Sequence, residues 1–373
     1  MRRLVGVGLV VGALLLSAPP ASADEPLEYV ALGDSYSAGF GLLPVAGDEP
    51  ASGCYQAAQN YPHRVALALG LQLKDVTCSG AVTANIRDTP QVTITGAGTA
   101  AVQSDALSAS TDIVTVTIGG NDLGFSSVAA RCLTDSASGP PLSLPGFANC
   151  KDYYNPVPGV DQLIYTLDTA VTPALQQTFA LIRQKAPNAR VFVVGYPTIA
   201  PDFAQIPPSG CFSSPFGSGT PPYPENTFPY TQTDTLYLHH IEHELDDAIQ
   251  TAAADHGFTF IPTWDATQTH SACSSDPYIW GITLTQNAAD GTPTGLPGLY
   301  VKLGALHPDQ DGVAFLSSQV ESAIRGHLEA EAAATAAARP QLAATGAGAD
   351  WLPAACMLVA GALLAVTGRR RPA

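Results

Sequence analysis

The feature that most constrains the fold is a series of short β-branched or aromatic segments that alternate with longer segments of helical periodicity. Four short segments predict buried strands, because they are almost uninterruptedly apolar and are followed by turn residues: residues 28–32, 112–118, 189–194 and 258–262. A weaker fifth candidate covers residues 72–77. Helical patterns cover residues 61–69, 160–185, 234–256 and 311–327. This alternation predicts an α/β protein, a three-layer α/β/α sandwich around a mostly parallel sheet of about five strands.

Short polar or glycine-rich blocks follow three of these strands. GDSYSAG at residues 33–39 follows the first strand, CSGA at residues 78–81 follows the weak candidate, and GGND at residues 119–122 follows the next. A fourth block, HPD at residues 307–309, stands before the last helical segment. Ligands bind at the carboxyl ends of the strands in an open parallel sheet. The blocks therefore predict one functional site at that edge.

Together the four blocks resemble the Ser, Gly, Asn and His blocks of the SGNH (GDSL-like) hydrolases, in the family's order. The resemblance implies a flavodoxin-like layout and an ester hydrolase without metal or organic cofactor, similar to secreted actinobacterial lipases and esterases. It makes Ser35 the nucleophile and His307 its base. It also implies an oxyanion hole made by the backbone N–H groups of Ser35 and Gly80 and the side-chain amide of Asn121.

This chemistry explains why those residue types are needed. A serine hydroxyl is a poor nucleophile until a base takes its proton, and an imidazole can accept that proton and return it to the leaving alcohol. The oxyanion that forms must meet preorganised donors, and losing one donor typically costs about 10²–10³ in kcat. A glycine at position 80 lets the backbone approach the substrate closely.

The chain departs from the family pattern beside the histidine. The family usually places an Asp three residues before it, whereas this chain has Gly304. We therefore expect the backbone carbonyl of Gly304 to accept the Nδ1–H of His307, as in relatives understood to use a main-chain carbonyl. Asp309 and Asp311 are competing orienters, although the start of the last helix favours a capping role for both.

Other residues of the blocks have structural or substrate-binding interpretations. We expect Asp34 and Asp122 to tie loops together by hydrogen bonds. Four apolar or aromatic side chains are candidates for an acyl site, with core packing an equal expectation for Phe125: Tyr36, Leu42, Phe125 and Phe203.

Six of the seven cysteines form an even set, and Cys356 stands apart in a C-terminal apolar run. An even set in an exported protein indicates disulfides. Fifteen pairings are possible, and we expect the sequential one, in which each bond closes a loop: Cys54–Cys78, Cys132–Cys150 and Cys211–Cys273.

Both ends of the chain carry targeting patterns. Residues 1–23 combine Arg2 and Arg3, an apolar run and small residues up to Ala23, which is typical of a signal peptide. The hydrolase domain is expected over residues 24–328, followed by an Ala-rich spacer at 329–341 and a sorting signal at 342–373.

The sorting signal begins with LAATG, which resembles a sortase motif of the LAxTG type. This resemblance implies cleavage between Thr345 and Gly346 and attachment to the cell wall by sortase. An apolar segment at 351–367 followed by three arginines is also typical of a membrane anchor with its basic tail on the cytoplasmic side. In both cases the catalytic domain faces outward.

The charge of the chain narrows its partners. Without Arg2, Arg3, the three tail arginines and Asp350, 11 of the 16 basic and 31 of the 32 acidic residues remain, a net charge of about −20. Such a surface repels phosphate backbones and anionic membranes, which excludes nucleic-acid binding. The resemblance to secreted lipases implies a lipid-like ester as substrate, and we expect a monomer.

The sequence is also compatible with other functions. HHIEH at residues 239–243 matches the HxxEH pattern of zinc peptidases, but the acidic surroundings favour a solvated helix face. A wall-attached binding protein that has lost the chemistry is a second alternative, against which the complete blocks argue. A carbohydrate acetylesterase or a phospholipase of the same fold stays open, because fold does not select the substrate.

Overall fold

The computed structural model describes residues 25–294 and 297–338. The chain divides into two compact units, residues 1–326 and 327–373. In the second unit the described residues are helical, and 329–338, the described part of the predicted spacer, are exposed. The predicted signal peptide, Thr345, Gly346 and the apolar segment 351–367 lie outside the described residues. Among those described, no helix combines the length and the apolar character that a membrane crossing requires.

Ten strands are described in chain order, and five of them make the central sheet. They are β1 (Glu28–Gly33), β2 (Gln72–Asp75), β3 (Gln91–Val92), β4 (Thr99–Ala100), β5 (Ile113–Thr117), β6 (Arg190–Val194), β7 (Thr259–Ile261), β8 (Leu284–Thr285), β9 (Gly291–Pro293) and β10 (Tyr300–Lys302). The central sheet has the order β2-β1-β5-β6-β7, and every neighbouring pair is parallel. The predicted α/β class with a five-stranded parallel sheet is confirmed.

The described residues also form ten α-helices. They are α1 (Ser35–Ala38), α2 (Tyr61–Leu69), α3 (Thr83–Arg87), α4 (Phe125–Cys132), α5 (Cys150–Tyr154), α6 (Gln162–Thr166), α7 (Thr172–Lys185), α8 (Gln232–Asp255), α9 (Thr263–Ala266) and α10 (Gln310–Ala338). The helix predicted over residues 160–185 is interrupted by a π-helical turn at Leu167–Val171. Pro173 stands in the first turn of α7 and has no N–H for a regular helical bond, which accounts for the interruption there.

The core lies between the sheet and the helices. All five residues of β5 are buried, and so are the last five of β1. Phe179 of α7 and Ile249 of α8 belong to the same apolar cluster as Val114 of β5. Strands buried on both faces need apolar side chains at successive positions, which is why these segments lack the alternation of a half-exposed strand.

Three disulfides hold the irregular segments to this framework: Cys54–Cys78, Cys132–Cys150 and Cys211–Cys273. The first includes Cys78, which begins the CSGA block. The other two fix the Pro-, Gly- and Ser-rich segments 132–158 and 201–230, which are long for loops in a compact domain.

A tight turn at Gly33 places the first block against the sheet. Gly33 has a φ of +136°, and a Cβ there would lie 2.5 Å from the carbonyl oxygen of Thr117 on the neighbouring strand. The side-chain amide of Gln103 accepts a hydrogen bond from the Gly33 N–H at 2.7 Å and donates one to its carbonyl at 2.9 Å. Only glycine allows this close approach without displacing β5.

Candidate active site

The nucleophile candidate begins a short helix at the carboxyl end of β1. Asp34 caps α1, and its carboxylate accepts a hydrogen bond from the Tyr36 N–H at 3.0 Å. Ser35 is therefore the first helical residue, 7% exposed, and it faces a cavity. A strand followed at once by a capped turn presents this hydroxyl at the edge of the sheet.

His307 lies near the end of the domain's sequence but contacts the Ser35 hydroxyl. Its Nε2 lies 2.7 Å from the Ser35 Oγ, although 272 residues separate the two. The imidazole is only 9% exposed. Its ring centroid lies 4.7 Å from that of Tyr36 and 5.0 Å from that of Phe40, so aromatic rings hold it in place. The structure thus brings together the two residues that the sequence singled out.

The prediction that the Gly304 carbonyl orients the imidazole is wrong. The Nδ1 of His307 lies 2.8 Å from the carbonyl oxygen of Ala305, one residue further along. The Gly304 carbonyl accepts the backbone N–H of His307 instead, at 2.9 Å. It is therefore engaged in the turn, and the left-handed Leu306, with a φ of +59°, belongs to that turn. A main-chain carbonyl does face Nδ1, but the conformation of the turn makes it that of Ala305 rather than that of Gly304.

Packing at Gly304 explains the missing carboxylate. Gly304 has a φ of +90°, and a Cβ there would lie 2.5 Å from the Trp280 ring and 3.2 Å from the Cα of Gly41. A side chain at this position would displace both. Asp309 accepts the N–H of Gly312 at 2.8 Å in the first turn of α10, which is the capping role expected of it.

Burial governs the protonation of His307. Removal from water disfavours the charged imidazolium and lowers its pKa to about 4, an effect that the hydrogen bond with the Ala305 carbonyl partly offsets. At neutral pH the ring is uncharged. With Nδ1–H donating to Ala305, Nε2 is the nitrogen with a free lone pair, and it points at the Ser35 hydroxyl.

The predicted oxyanion-hole residues lie around the same cavity. Gly80 has a φ of +84° and lines the cavity together with Ser35 and Asn121. The Asn121 amide donates one hydrogen bond to the carbonyl of Ala81 at 3.0 Å, which fixes its plane. A primary amide has two N–H donors, so this bond leaves a second N–H for another acceptor.

A second network connects the blocks, and its central residue, Tyr196, was not predicted from the sequence. The Tyr196 hydroxyl donates to Asp34 at 2.5 Å and accepts the Gly120 N–H at 3.0 Å. Burial raises the pKa of Asp34 to about 7. Tyr196 lies two residues beyond β6, so its position at a strand's carboxyl end was the available signal.

Asp122 makes the expected loop tie by accepting the backbone N–H and the hydroxyl of Thr83.

The cavity at this edge has a volume of about 710 Å³, within the 300–1,000 Å³ range typical of small-molecule sites. Tyr36 and Phe125 line it, as predicted for an acyl site. The same prediction for Leu42 and Phe203 is wrong. Leu42 is buried in the core and Phe203 is 66% exposed, and neither contributes to the cavity wall.

The histidines of the HHIEH pattern have other contacts. The ring of His239 pairs with the Ala200 carbonyl at 2.8 Å, and the rings of His239 and His243 pack on Trp264. The carboxylate of Glu242 accepts the backbone N–H groups of Ile199 and Ala200. The expectation of a solvated face is therefore wrong for Glu242, whose pKa burial raises to about 8.

This fold, with the four blocks at the carboxyl edge of its sheet, defines an ester hydrolase of the SGNH class. The chain belongs to the GDSL-like lipase/acylhydrolase family, which matches it over residues 31–314.

Named relatives agree with this assignment. The chain is 37% identical over 264 residues to Lipase 2 of Streptomyces coelicolor, covering 70% of this chain and 78% of the relative. It is 29% identical over 346 residues to an esterase of Streptomyces scabiei, covering 87% and 94% of the two chains.

Solved structures show the same architecture. A phospholipase A1 from Streptomyces albidoflavus NA297 is similar, with a TM-score of 0.56 and 25% identity over 80% of this chain and 99% of the other. The extracellular lipase of Streptomyces rimosus shares the fold, with a TM-score of 0.55 and 22% identity over 79% and 99% of the two chains.

Proposed function

We propose that this enzyme hydrolyses carboxylic esters with a lipid-like acyl chain, using Ser35 as nucleophile and His307 as base. The observation that carries the proposal is the 2.7 Å hydrogen bond between Ser35 Oγ and His307 Nε2 in the wall of a mainly apolar cavity. The relatives named lipase and esterase support it.

The proposed reaction has two halves. Ser35 Oγ attacks the ester carbonyl while His307 Nε2 takes its proton, and the Ala305 carbonyl stabilises the imidazolium through Nδ1–H. The oxyanion accepts hydrogen bonds from the N–H groups of Ser35 and Gly80 and from the free N–H of Asn121. His307 then protonates the leaving alcohol. In the second half, water gives a proton to His307 and attacks the acyl carbonyl, and the bond to Ser35 Oγ breaks as His307 returns the proton, which releases the carboxylic acid and regenerates Ser35.

The acyl chain is assigned to the cavity because much of its wall is apolar. Side chains on helix α4, on strand β8 and on loops contribute to it: Phe125, Leu133, Leu142, Ile282, Leu284 and Leu299. Burying a methylene group contributes about 0.8 kcal/mol, so a cavity of this kind favours longer acyl chains.

We also propose export and surface attachment of the enzyme. The signal-peptide pattern at residues 1–23 and the LAATG motif before an apolar segment and basic tail support this proposal. Three disulfides in the domain are typical of proteins outside the cytosol.

Replacing Ser35 with alanine tests the nucleophile. We expect Ser35→Ala to lower kcat/KM by more than about 10⁴-fold, since loss of a catalytic serine removes the covalent route, and to abolish labelling by a fluorophosphonate. Ser37→Ala is the matched control, because its buried hydroxyl contacts Tyr61 at 3.1 Å and not the imidazole. The control should keep both activity and labelling. Residual activity of Ser35→Ala above about one per cent would contradict a covalent role of this scale.

The pH dependence tests the base. Catalysis needs neutral His307, whose pKa is lowered to about 4, so kcat/KM should stay constant down to about pH 5 and fall by half near pH 4. A midpoint near an ordinary histidine value of about 6.5 would contradict this assignment. Between about pH 6.5 and pH 4 the imidazole of His307 is protonated in the unfolded chain but not in the folded one. Folding stability therefore also falls as the pH is lowered through this range. Circular dichroism must show that the enzyme remains folded.

A series of p-nitrophenyl esters tests the substrate class. We expect kcat/KM to rise from acetate towards octanoate by up to about fourfold per methylene, the rate equivalent of 0.8 kcal/mol. Phe125→Trp should shift the optimum to shorter chains, whereas Phe203→Trp, on the exposed surface, should leave it unchanged. An optimum at acetate with turnover of acetyl-xylan would indicate a carbohydrate acetylesterase, and preference for intact phosphatidylcholine a phospholipase.

Mass spectrometry of the mature protein tests the two ends. We expect the chain to begin at Asp24 and to end at Thr345 with wall peptide attached. Recovery of residues 346–373 in the surface-bound enzyme would contradict sortase processing and would identify the apolar segment as the anchor.

A further inference from the structure

We propose that Tyr36 is a positioning residue, whose phenol holds the loop that carries His307 in register with Ser35. The inference rests on the proposed function, since it assigns a role within the same Ser–His pair. The Tyr36 hydroxyl donates to the carbonyl oxygen of Leu306 at 2.6 Å, and both residues are 4% exposed.

This hydrogen bond joins the immediate neighbours of the two reacting residues. Tyr36 follows Ser35 in helix α1, and Leu306 precedes His307 in the loop before α10. A buried bond between two adjacent positions restrains the distance between Ser35 Oγ and His307 Nε2 more directly than packing elsewhere in the domain. Burial raises the pKa of Tyr36 well above 10, so the phenol remains a donor.

The backbone at Leu306 needs such a restraint. Its φ of +59° lies in the left-handed region, where the Cβ of a residue with a side chain comes too close to the following carbonyl oxygen. The Leu306 N–H donates to the Trp280 carbonyl at 2.9 Å, and the Trp280 N–H donates to the His307 carbonyl at 3.0 Å. These bonds fix one side of the turn to Trp280, and the bond from Tyr36 fixes it to helix α1.

The restraint matters because a neighbouring peptide orients the imidazole. The Ala305 carbonyl that faces Nδ1 belongs to the peptide unit just before Leu306, so rotation about the Leu306 φ changes its direction relative to the ring. A carboxylate side chain would tolerate such rotation, because it could swing independently of the backbone. A main-chain orienter has no such freedom.

The ring and the hydroxyl of Tyr36 have separable roles. The ring packs on His307 at a centroid distance of 4.7 Å and meets Tyr196 edge-on at 4.9 Å. Tyr36 also lines the cavity. Tyr36→Phe keeps the ring and the cavity wall, and it removes only the bond to Leu306.

The test compares Tyr36→Phe with Tyr29→Phe in the intact enzyme. Tyr29 is a matched control, because its buried hydroxyl makes a 2.8 Å hydrogen bond to Thr115 Oγ1 within the sheet. We expect Tyr36→Phe to lower kcat about tenfold, the rate equivalent of leaving one buried acceptor unsatisfied. KM should stay within about twofold, and the same loss should occur for every acyl-chain length, because positioning acts on the reaction rather than on chain binding. Tyr29→Phe should lose stability but keep kcat.

A second pair of variants separates hydrogen bonding from folding. 4-Fluorophenylalanine at position 36 fills the space of the hydroxyl without donating, whereas 4-aminophenylalanine donates from the same place. The proposal requires the amino variant to recover most of the kcat that the fluoro variant loses. Equal kcat in the two variants, an increase in KM, or a changed acyl-chain preference would overturn it.

Fluorophosphonate labelling distinguishes this failure from failure of the proposed function. Under the proposal, Tyr36→Phe is labelled on Ser35 about tenfold more slowly than the wild type, for the same energetic reason. Wild-type labelling with an unchanged rate in Tyr36→Phe would overturn the role of Tyr36 alone. A wild-type enzyme that is not labelled on Ser35 would overturn the proposed function itself.

Discussion

The hydrogen bond between Ser35 and His307 is the interaction on which the rest of this site depends. It joins residues 272 positions apart at a length of 2.7 Å, so two separate parts of the chain must be fixed to within a fraction of an ångström. On one side the turn at Gly33 sets α1 against the sheet. On the other side the turn at Gly304 fits between Trp280 and Gly41. Neither Gly33 nor Gly304 has space for a Cβ. The position of the site therefore depends on the packing around these two turns.

In the part of the chain that the structure describes, the His307 ring bonds to the Ala305 carbonyl and the Ser35 hydroxyl and to no carboxylate. Burial lowers the pKa of His307 while the Ala305 carbonyl selects the tautomer. A carboxylate would stabilise the imidazolium more strongly and raise its pKa. The dipole of the Ala305 carbonyl orients the ring but stabilises the imidazolium less than a full charge would. The position of the ring relative to Ser35 must therefore be set more closely by the surrounding structure. The bonds around Leu306 and the aromatic rings of Tyr36 and Phe40 are consistent with that demand.

The sequence predicted the central sheet well, because buried parallel strands leave a local pattern that needs no tertiary information. All five predicted strands are present, including the weak candidate at residues 72–77, which forms the sheet edge as β2. The interruption at Leu167–Val171 was not predicted, although Pro173 was the available signal, because a proline lacks the N–H that a regular helix needs. The solvated position predicted for Glu242 was wrong. Its acidic neighbours in the sequence do not show that its carboxylate accepts the backbone N–H groups of Ile199 and Ala200.

The sequence by itself determined the α/β class, the four blocks and the residue types that meet at the sheet edge. Strand ends are local features, and their convergence follows from parallel topology. The tertiary structure alone decided which carbonyl faces His307 and that Tyr196 bridges Asp34 and Gly120. It also placed Phe203 outside the cavity. These features depend on backbone dihedrals and on contacts between distant segments, which no local pattern of residues encodes.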